Sequence, residues 1–177
     1  LGALSDLVDA GKVRAIAGSN YTADRLAEAM ATSRALDAHP FVAYQGDYSL
    51  MERGFEGEMR DVVLGERLQF LPYYSLARGF LTGKYRPGIT VDSPRAEGAG
   101  QYLDNRGERV LATLRDVAGA HATTMAAVAL AWLNAQPAVT APIASARTAE
   151  QLADLLPVAG LALEADEVQA LTDASAG

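Results

Sequence analysis

Short apolar runs alternate with longer amphipathic ones along the chain, the pattern of strand and helix units laid on a parallel sheet. The runs begin at Val13 (VRAIAGSN), Phe41 (FVAYQGDYSL), Leu68 (LQFLPYY) and Val139 (VTAPIASAR). The first three start at nearly equal intervals, each long enough for a strand, a helix and their loops. The gap before the fourth is much longer. It opens with a loop rich in Gly, Pro, Asp and Ser, YRPGITVDSPRAEGAG, and continues with helices predicted near 103–119 and 123–136. Loops of that length usually carry function.

Helix starts are marked by side chains that cap free backbone N–H groups. Thr22 precedes ADRLAEAM, Thr123 and Thr124 precede MAAVALAWL, and Thr148 opens T-A-E-Q, the spelling of a capping box. A last helix is predicted at about 164–174. At the start of the chain Leu1, Leu4, Leu7 and Val8 share one helical face, which predicts a helix there. The chain opens on that helix without a methionine, the expectation being a part of a longer protein. Four parallel strands suit either half of a closed (β/α)8 barrel or an open doubly wound sheet with helices on both faces. Periodicity leaves both open.

Composition narrows the function classes. Half of the 177 residues are hydrophobic and 21% charged, the balance of a folded globular chain. No apolar run has the length of a membrane helix, and the first residues lack the profile of a signal peptide. Cysteine is absent, and a cytoplasmic location is the default expectation. The net charge of −7 argues against nucleic acid or an anionic membrane as partner.

In parallel α/β folds ligands lie at the carboxyl ends of the strands. The first strand delivers Gly18, Ser19 and Asn20 there, and the second Gln45, followed by Asp47 and Tyr48. The third delivers Tyr73, Tyr74, Ser75 and the loop to Lys84. The fourth delivers Ser145 and Arg147, with Gln151 and Asp154 on the following helix. Between Arg78 and Arg95 lie four cations, Arg78, Lys84, Arg86 and Arg95, against one acid, Asp92. Beyond Arg115, Arg147 is the only Lys or Arg, and six acids follow it. A planar guanidinium beside a helix start suits a phosphate.

Taken singly each residue has a plainer reading: Ser19-Asn20 a turn, the tyrosines packing, Gln151 a cap, Arg147 a partner of Glu150. Their convergence at four strand ends favours a site. His39 lies at the opposite, structural end and His121 between two helices. No acid–base set and no metal-ligand cluster can be assembled from the sequence.

These residues carry a resemblance. GKVRAIAGSN, VAYQGDYSLMER, PYYSLARGFLTGKYR and AAVALAWLNAQPAVTAPIASARTAEQL resemble the aldo-keto reductase family, in family order and over nearly the whole chain. The branch resembled includes bacterial oxidoreductases and potassium-channel β subunits. The resemblance implies a (β/α)8 TIM-type barrel of which this chain supplies the second half, four βα units with extra helices. Residues 1–177 would then be one domain, the cofactor-binding part. The implied function is NADPH-dependent reduction of aldehydes or ketones, with a non-catalytic NADPH-binding regulatory subunit as the alternative. The implied partners are a small carbonyl substrate and the N-terminal half of the barrel, where the family's catalytic tetrad lies, so that this chain alone would be inactive.

Carried over by residue, Ser19, Asn20 and Gln45 match the groups that bind the nicotinamide carboxamide, and Tyr73 matches the ring that stacks on the nicotinamide. Tyr74, Ser75, Leu76, Ala77, Arg78 and Lys84 match the loop along the pyrophosphate, with Arg95 near that loop's basic position. Ser145, Arg147, Gln151 and Asp154 match the positions that hold the 2′-phosphate and adenine. A frequent Glu-Asn pair in the family is Asp154-Leu155 here.

Overall fold

A computed structural model of the chain describes residues 1–86, 88, 89, 91, 92 and 96–177. Helix α1 (Gly2–Asp9) leads into strand β1 (Ile16–Ser19), followed by α2 (Ala23–Ala35), β2 (Phe41–Gln45), α3 (Glu58–Gly65) and β3 (Gln69–Phe70). A 3₁₀ segment (Ala77–Thr82), α4 (Ala96–Gly100), α5 (Asn105–Ala120) and α6 (Met125–Asn134) come next. Helix α7 (Ala149–Leu155), a second 3₁₀ segment (Leu156–Gly160) and α8 (Ala165–Ala174) complete the order.

The helices start where side chains can cap them. The hydroxyl of Thr22 accepts from Arg25 N, that of Thr124 from Ala127 N and that of Thr148 from Gln151 N. Asp104 does the same for Gly107 N at the head of α5. The box expected at Thr148 is only half formed, because the Gln151 side chain turns back to Arg147 N rather than to Thr148 N. The stretch read as loop between Tyr85 and Gly100 contains α4. Gly107 is dictated by packing, since a Cβ there would sit 1.9 Å from the Tyr102 carbonyl oxygen and 2.7 Å from the Phe80 ring.

Strands β1, β2 and β3 form one parallel sheet in that order, with Ser19 opposite Gln45 and Tyr44 opposite Phe70. The fourth run is not a ladder strand, which corrects the expectation of four. It touches the sheet through one parallel bridge, Phe70 to Val139, with Thr140 N on Phe70 O at 2.8 Å and Ile143 N on Pro72 O at 2.8 Å. Prolines explain the break. The next donor due after Thr140 is residue 142, a proline without an N–H, so Ile143 takes over one residue late.

One face of the sheet is packed and the other is open. Ile16, Phe41, Tyr44 and Phe70 are buried against the helical layer, whereas Ala17, Ser19, Val42 and Gln69 are exposed. A doubly wound sheet needs helices on both faces, and the described residues cover one. On the packed side Phe55 stacks on Phe70 with ring centroids 3.7 Å apart, and Tyr48 lies 5.5 Å from Trp132. Helix α6 is apolar all round and buried from Ala126 to Leu133, the mark of a core helix. The helix expected at the chain start is α1, and of its apolar face Leu1 and Val8 pack against the core. Leu4 and Leu7 are exposed, and the buried residue is Ser5, whose Oγ accepts from His39 N ahead of β2.

Candidate functional site

The strands are parallel, so their carboxyl ends share one edge of the sheet. Ser19 and Gln45 end neighbouring strands in register. Asn20 turns in the left-handed region (φ 60°), and its N–H donates to Gln45 O at 3.3 Å. The Tyr73 hydroxyl donates to Asn20 Oδ1 at 2.6 Å, tying the mouth of the third strand to that of the first. Ser19, Asn20, Gln45 and Tyr73 therefore do come together.

The following loop is wound tightly. Tyr74, Ala77 and Arg78 have φ of 49°, 47° and 59°, and Gly79 has 94°. Left-handed backbone at non-glycine residues is costly and gathers at functional sites. The Arg78 guanidinium lies 4.0 Å over the Tyr74 ring, which meets the Tyr73 ring edge-on at 5.1 Å. Ser75 is buried, with its hydroxyl on Pro72 O at 3.0 Å, and Ala77 is buried too. Leu76 is partly buried, and its carbonyl accepts from Gly79 N at 2.9 Å. Lys84 closes the loop: its Cε lies 3.6 Å from where a Cβ on Gly79 would stand.

A second group stands beyond the fourth run. Ser145 and Arg147 are exposed, and Arg147 N donates to Gln151 Oε1 at 3.0 Å. The Asp154 carbonyl accepts from the Thr124 hydroxyl at 2.6 Å, while the residue itself is exposed. The backbone bond from Ile143 N to Pro72 O connects this group to the Tyr73 loop. Arg95 lies outside the described residues.

One residue expected at the mouth of the second strand, Asp47, was given no role from the sequence. Asp47 bridges to Tyr73 across the strands, and its Oδ1 is buried without a hydrogen-bond partner among the described residues. It also lines a cleft of about 580 Å³ with Tyr21, Tyr44 and Phe55. Strand alternation was the available signal, since Asp47 follows Gln45 by two and so shares its face. Burial, and then the charge of Glu52, push its carboxyl up to about 6, against the pull of Arg78. The Tyr73 hydroxyl is raised in turn, first by burial and then by Asp47.

A carboxyl raised in the folded state favours folding at low pH and opposes it once ionised. Its contribution is lost as pH rises from the ordinary 3.8 through about 6. Asp47→Asn is expected to stabilise the protein by about 1 kcal/mol at pH 7, after allowance for the exposed part of the side chain, and by nothing near pH 3. Urea unfolding at the two pH values measures this. An equal gain at both would remove ionisation as the cause.

Tyr48, the other tyrosine near a strand mouth, is held in the core. Its hydroxyl donates to Glu56 Oε1 at 2.6 Å, and burial followed by that bond raises its pKa. Among the described residues no group of three or more His, Asp or Glu could hold a metal, and no helix is long and apolar enough to cross a membrane.

Polar and aromatic groups converge on the carboxyl edge of a parallel sheet in an α/β protein. The chain belongs to the aldo/keto reductase family, whose family model matches residues 1–176. It is 33% identical over 155 residues to "Protein tas" of Escherichia coli K12, covering 86% of this chain and 45% of that protein. It is 32% identical over 168 residues to the uncharacterized oxidoreductase YrpG of Bacillus subtilis 168, covering 94% and 50%. To the uncharacterized oxidoreductase Rv2298 of Mycobacterium tuberculosis H37Rv it is 35% identical over 177 residues, covering 97% and 52%. The chain thus spans about half the length of the curated relatives it matches.

Proposed function

We propose that this chain is the cofactor-holding half of an NADPH-dependent aldo/keto reductase barrel, the catalytic half being supplied by residues outside it. Bound NADPH supplies the hydride for reduction of an aldehyde or ketone. The observation that carries the reading is the Tyr73–Asn20 bond, which fixes an aromatic ring beside amide and hydroxyl groups at the joined mouths of three strands.

The residues fit such a ligand chemically. Asn20, Gln45 and Ser19 offer amide and hydroxyl groups for a carboxamide, and the half-open Tyr73 ring offers a flat apolar surface. The wound loop from Tyr74 to Lys84, including Ser75, Leu76, Ala77 and Arg78, has the tight turns and two cations that suit a pyrophosphate. Ser145, Arg147, Gln151 and Asp154 form the end that reads the 2′-phosphate and adenine, with Arg147 as the phosphate partner. Holding and orienting the cofactor is the task of these side chains. Proton donation falls to a group outside them, since Tyr48 is committed to Glu56.

The open face of the sheet supports the half-barrel reading, since closure of the barrel would cover Val42 and its neighbours. The test is a fluorescence titration of the full-length protein with NADPH and NADH. Arg147→Ala is expected to weaken NADPH binding ~10-fold and NADH binding far less, as fits the loss of one charge-assisted contact to the 2′-phosphate. Equal losses for both cofactors, or none, would overturn the phosphate assignment.

A further inference from the structure

Away from the strand mouths a small cavity of about 280 Å³ lies between the 3₁₀ segment Ala77–Thr82, the chain just after it, and α5. It shares Phe80 and Gly83 with the back of the Tyr74–Lys84 loop, while the side chains named above for the cofactor lie outside its lining. Its floor is apolar, formed by Phe80, Leu103 and Leu111. Tyr85 forms a wall and is only 4% exposed, yet its hydroxyl has no hydrogen-bond partner among the described residues. An unmade bond on a buried phenol is costly, a cost that a ligand accepting from it would remove. Two guanidinium groups, Arg86 and Arg115, line the same cavity against a single carboxylate, Glu108. Neither arginine enters an ion pair among the described residues.

Floor, hydroxyl and cations each specify part of a ligand. The floor asks for a compact apolar body. The hydroxyl and the guanidinium groups ask for an acceptor that is planar, negative and able to take more than one donor. We propose that this cavity binds a small monocarboxylate with an apolar body, the carboxylate meeting Tyr85 and Arg115 and the body resting on Phe80, Leu103 and Leu111. The cavity is at the small end for ligand sites, which excludes nucleotides and long acyl chains. Its occupant presses on Tyr85, whose ring carries the Lys84 ammonium at 5.1 Å, so the site backs onto the wound loop and shares Phe80 and Gly83 with it.

Calorimetric titration of the full-length protein with benzoate, and with benzyl alcohol as the neutral counterpart, tests the assignment. Benzoate is expected to bind at millimolar or lower concentration and at least ~10-fold more tightly than benzyl alcohol, the contrast expected of a charge-assisted hydrogen bond. Arg115→Gln and Tyr85→Phe are each expected to weaken benzoate ~5- to 10-fold. Leu103→Trp, at a position already 39% exposed and so tolerant of bulk, should fill the cavity and abolish binding while circular dichroism stays unchanged. No heat with benzoate, equal affinity for the alcohol, or unaltered binding by folded Leu103→Trp protein would each overturn the proposal. None of these readouts depends on NADPH, so the site stands or falls separately from the cofactor reading.

Discussion

Replacing Trp132 by alanine is expected to lower the unfolding free energy by about 4 kcal/mol, the scale for emptying a fully buried aromatic site. Trp132 is fully buried, on a helix whose every residue from Ala126 to Leu133 is buried as well. Its ring lies 5.5 Å from Tyr48, and the Arg53 guanidinium lies 5.2 Å over it. Its indole N–H donates to the Thr172 hydroxyl at 3.0 Å, which joins α6 to α8. The alanine variant therefore leaves a cavity, unstacks two partners and strands an acceptor on α8. Trp132→Phe keeps much of the volume but not the N–H, and should cost about half as much. Urea unfolding of both variants, followed by far-UV circular dichroism, gives the comparison. A loss below about 1 kcal/mol for the alanine variant would mean that the indole is not in the core.

Much of this architecture is written locally in the chain. Thr22, Thr124 and Thr148 each sit one residue before a helix and each caps it, because capping needs only a hydroxyl and an N–H three residues away. The alternation of runs gives the parallel order of β1, β2 and β3 for the same reason. Where the reading fails, the deciding partner is distant. The fourth run has a strand's composition, but its ladder depends on which N–H faces Phe70 and Pro72, and Pro142 has none to offer. The helical period of α1 is legible, but the burial of Ser5 is not, since it depends on His39 some thirty positions along.

The candidate site divides in the same way. Residues at strand ends are legible once the strands are, so Ser19, Asn20, Gln45 and Tyr73 could be placed from pattern and the family resemblance. The bond from Tyr73 to Asn20 spans 53 positions and could not be placed that way. Asp47 was visible as a neighbour of Gln45, but the burial of its oxygen depends on packing that includes its bridge to the distant Tyr73. Arg147 is legible for a different reason, as a lone cation in an acidic stretch of the chain.

The second large effect is expected at Arg53, which occupies the joint between the sheet and the last helix. Its guanidinium forms a bidentate pair with Glu56, with Nη2 2.7 Å from Oε2, and its Nη1 donates to Ser175 Oγ at 2.6 Å and to Thr172 O at 3.2 Å. Glu56 also accepts from the Tyr48 hydroxyl. Burial alone would raise the Glu56 carboxyl, but the bonds from Arg53 and Tyr48 outweigh it and hold the pKa below the ordinary range. A depressed carboxylate stabilises the fold above its unfolded pKa, and that contribution is lost as pH falls through the folded value. Arg53→Leu removes the partner and leaves Glu56 and the α8 acceptors half-buried. The expected cost is about 2 kcal/mol at pH 7, less than for a fully buried pair because both side chains keep some exposure. The cost should shrink below about pH 4, where Glu56 is neutral in the variant. Combined with Trp132→Ala, the two losses should fall short of their sum by roughly 0.5–1 kcal/mol, because both substitutions release the same hold on Thr172 and α8. Strict additivity in that double-mutant cycle would show that the indole and the guanidinium anchor α8 independently, and a cost unchanged between pH 7 and pH 3 would show that Glu56 plays no part.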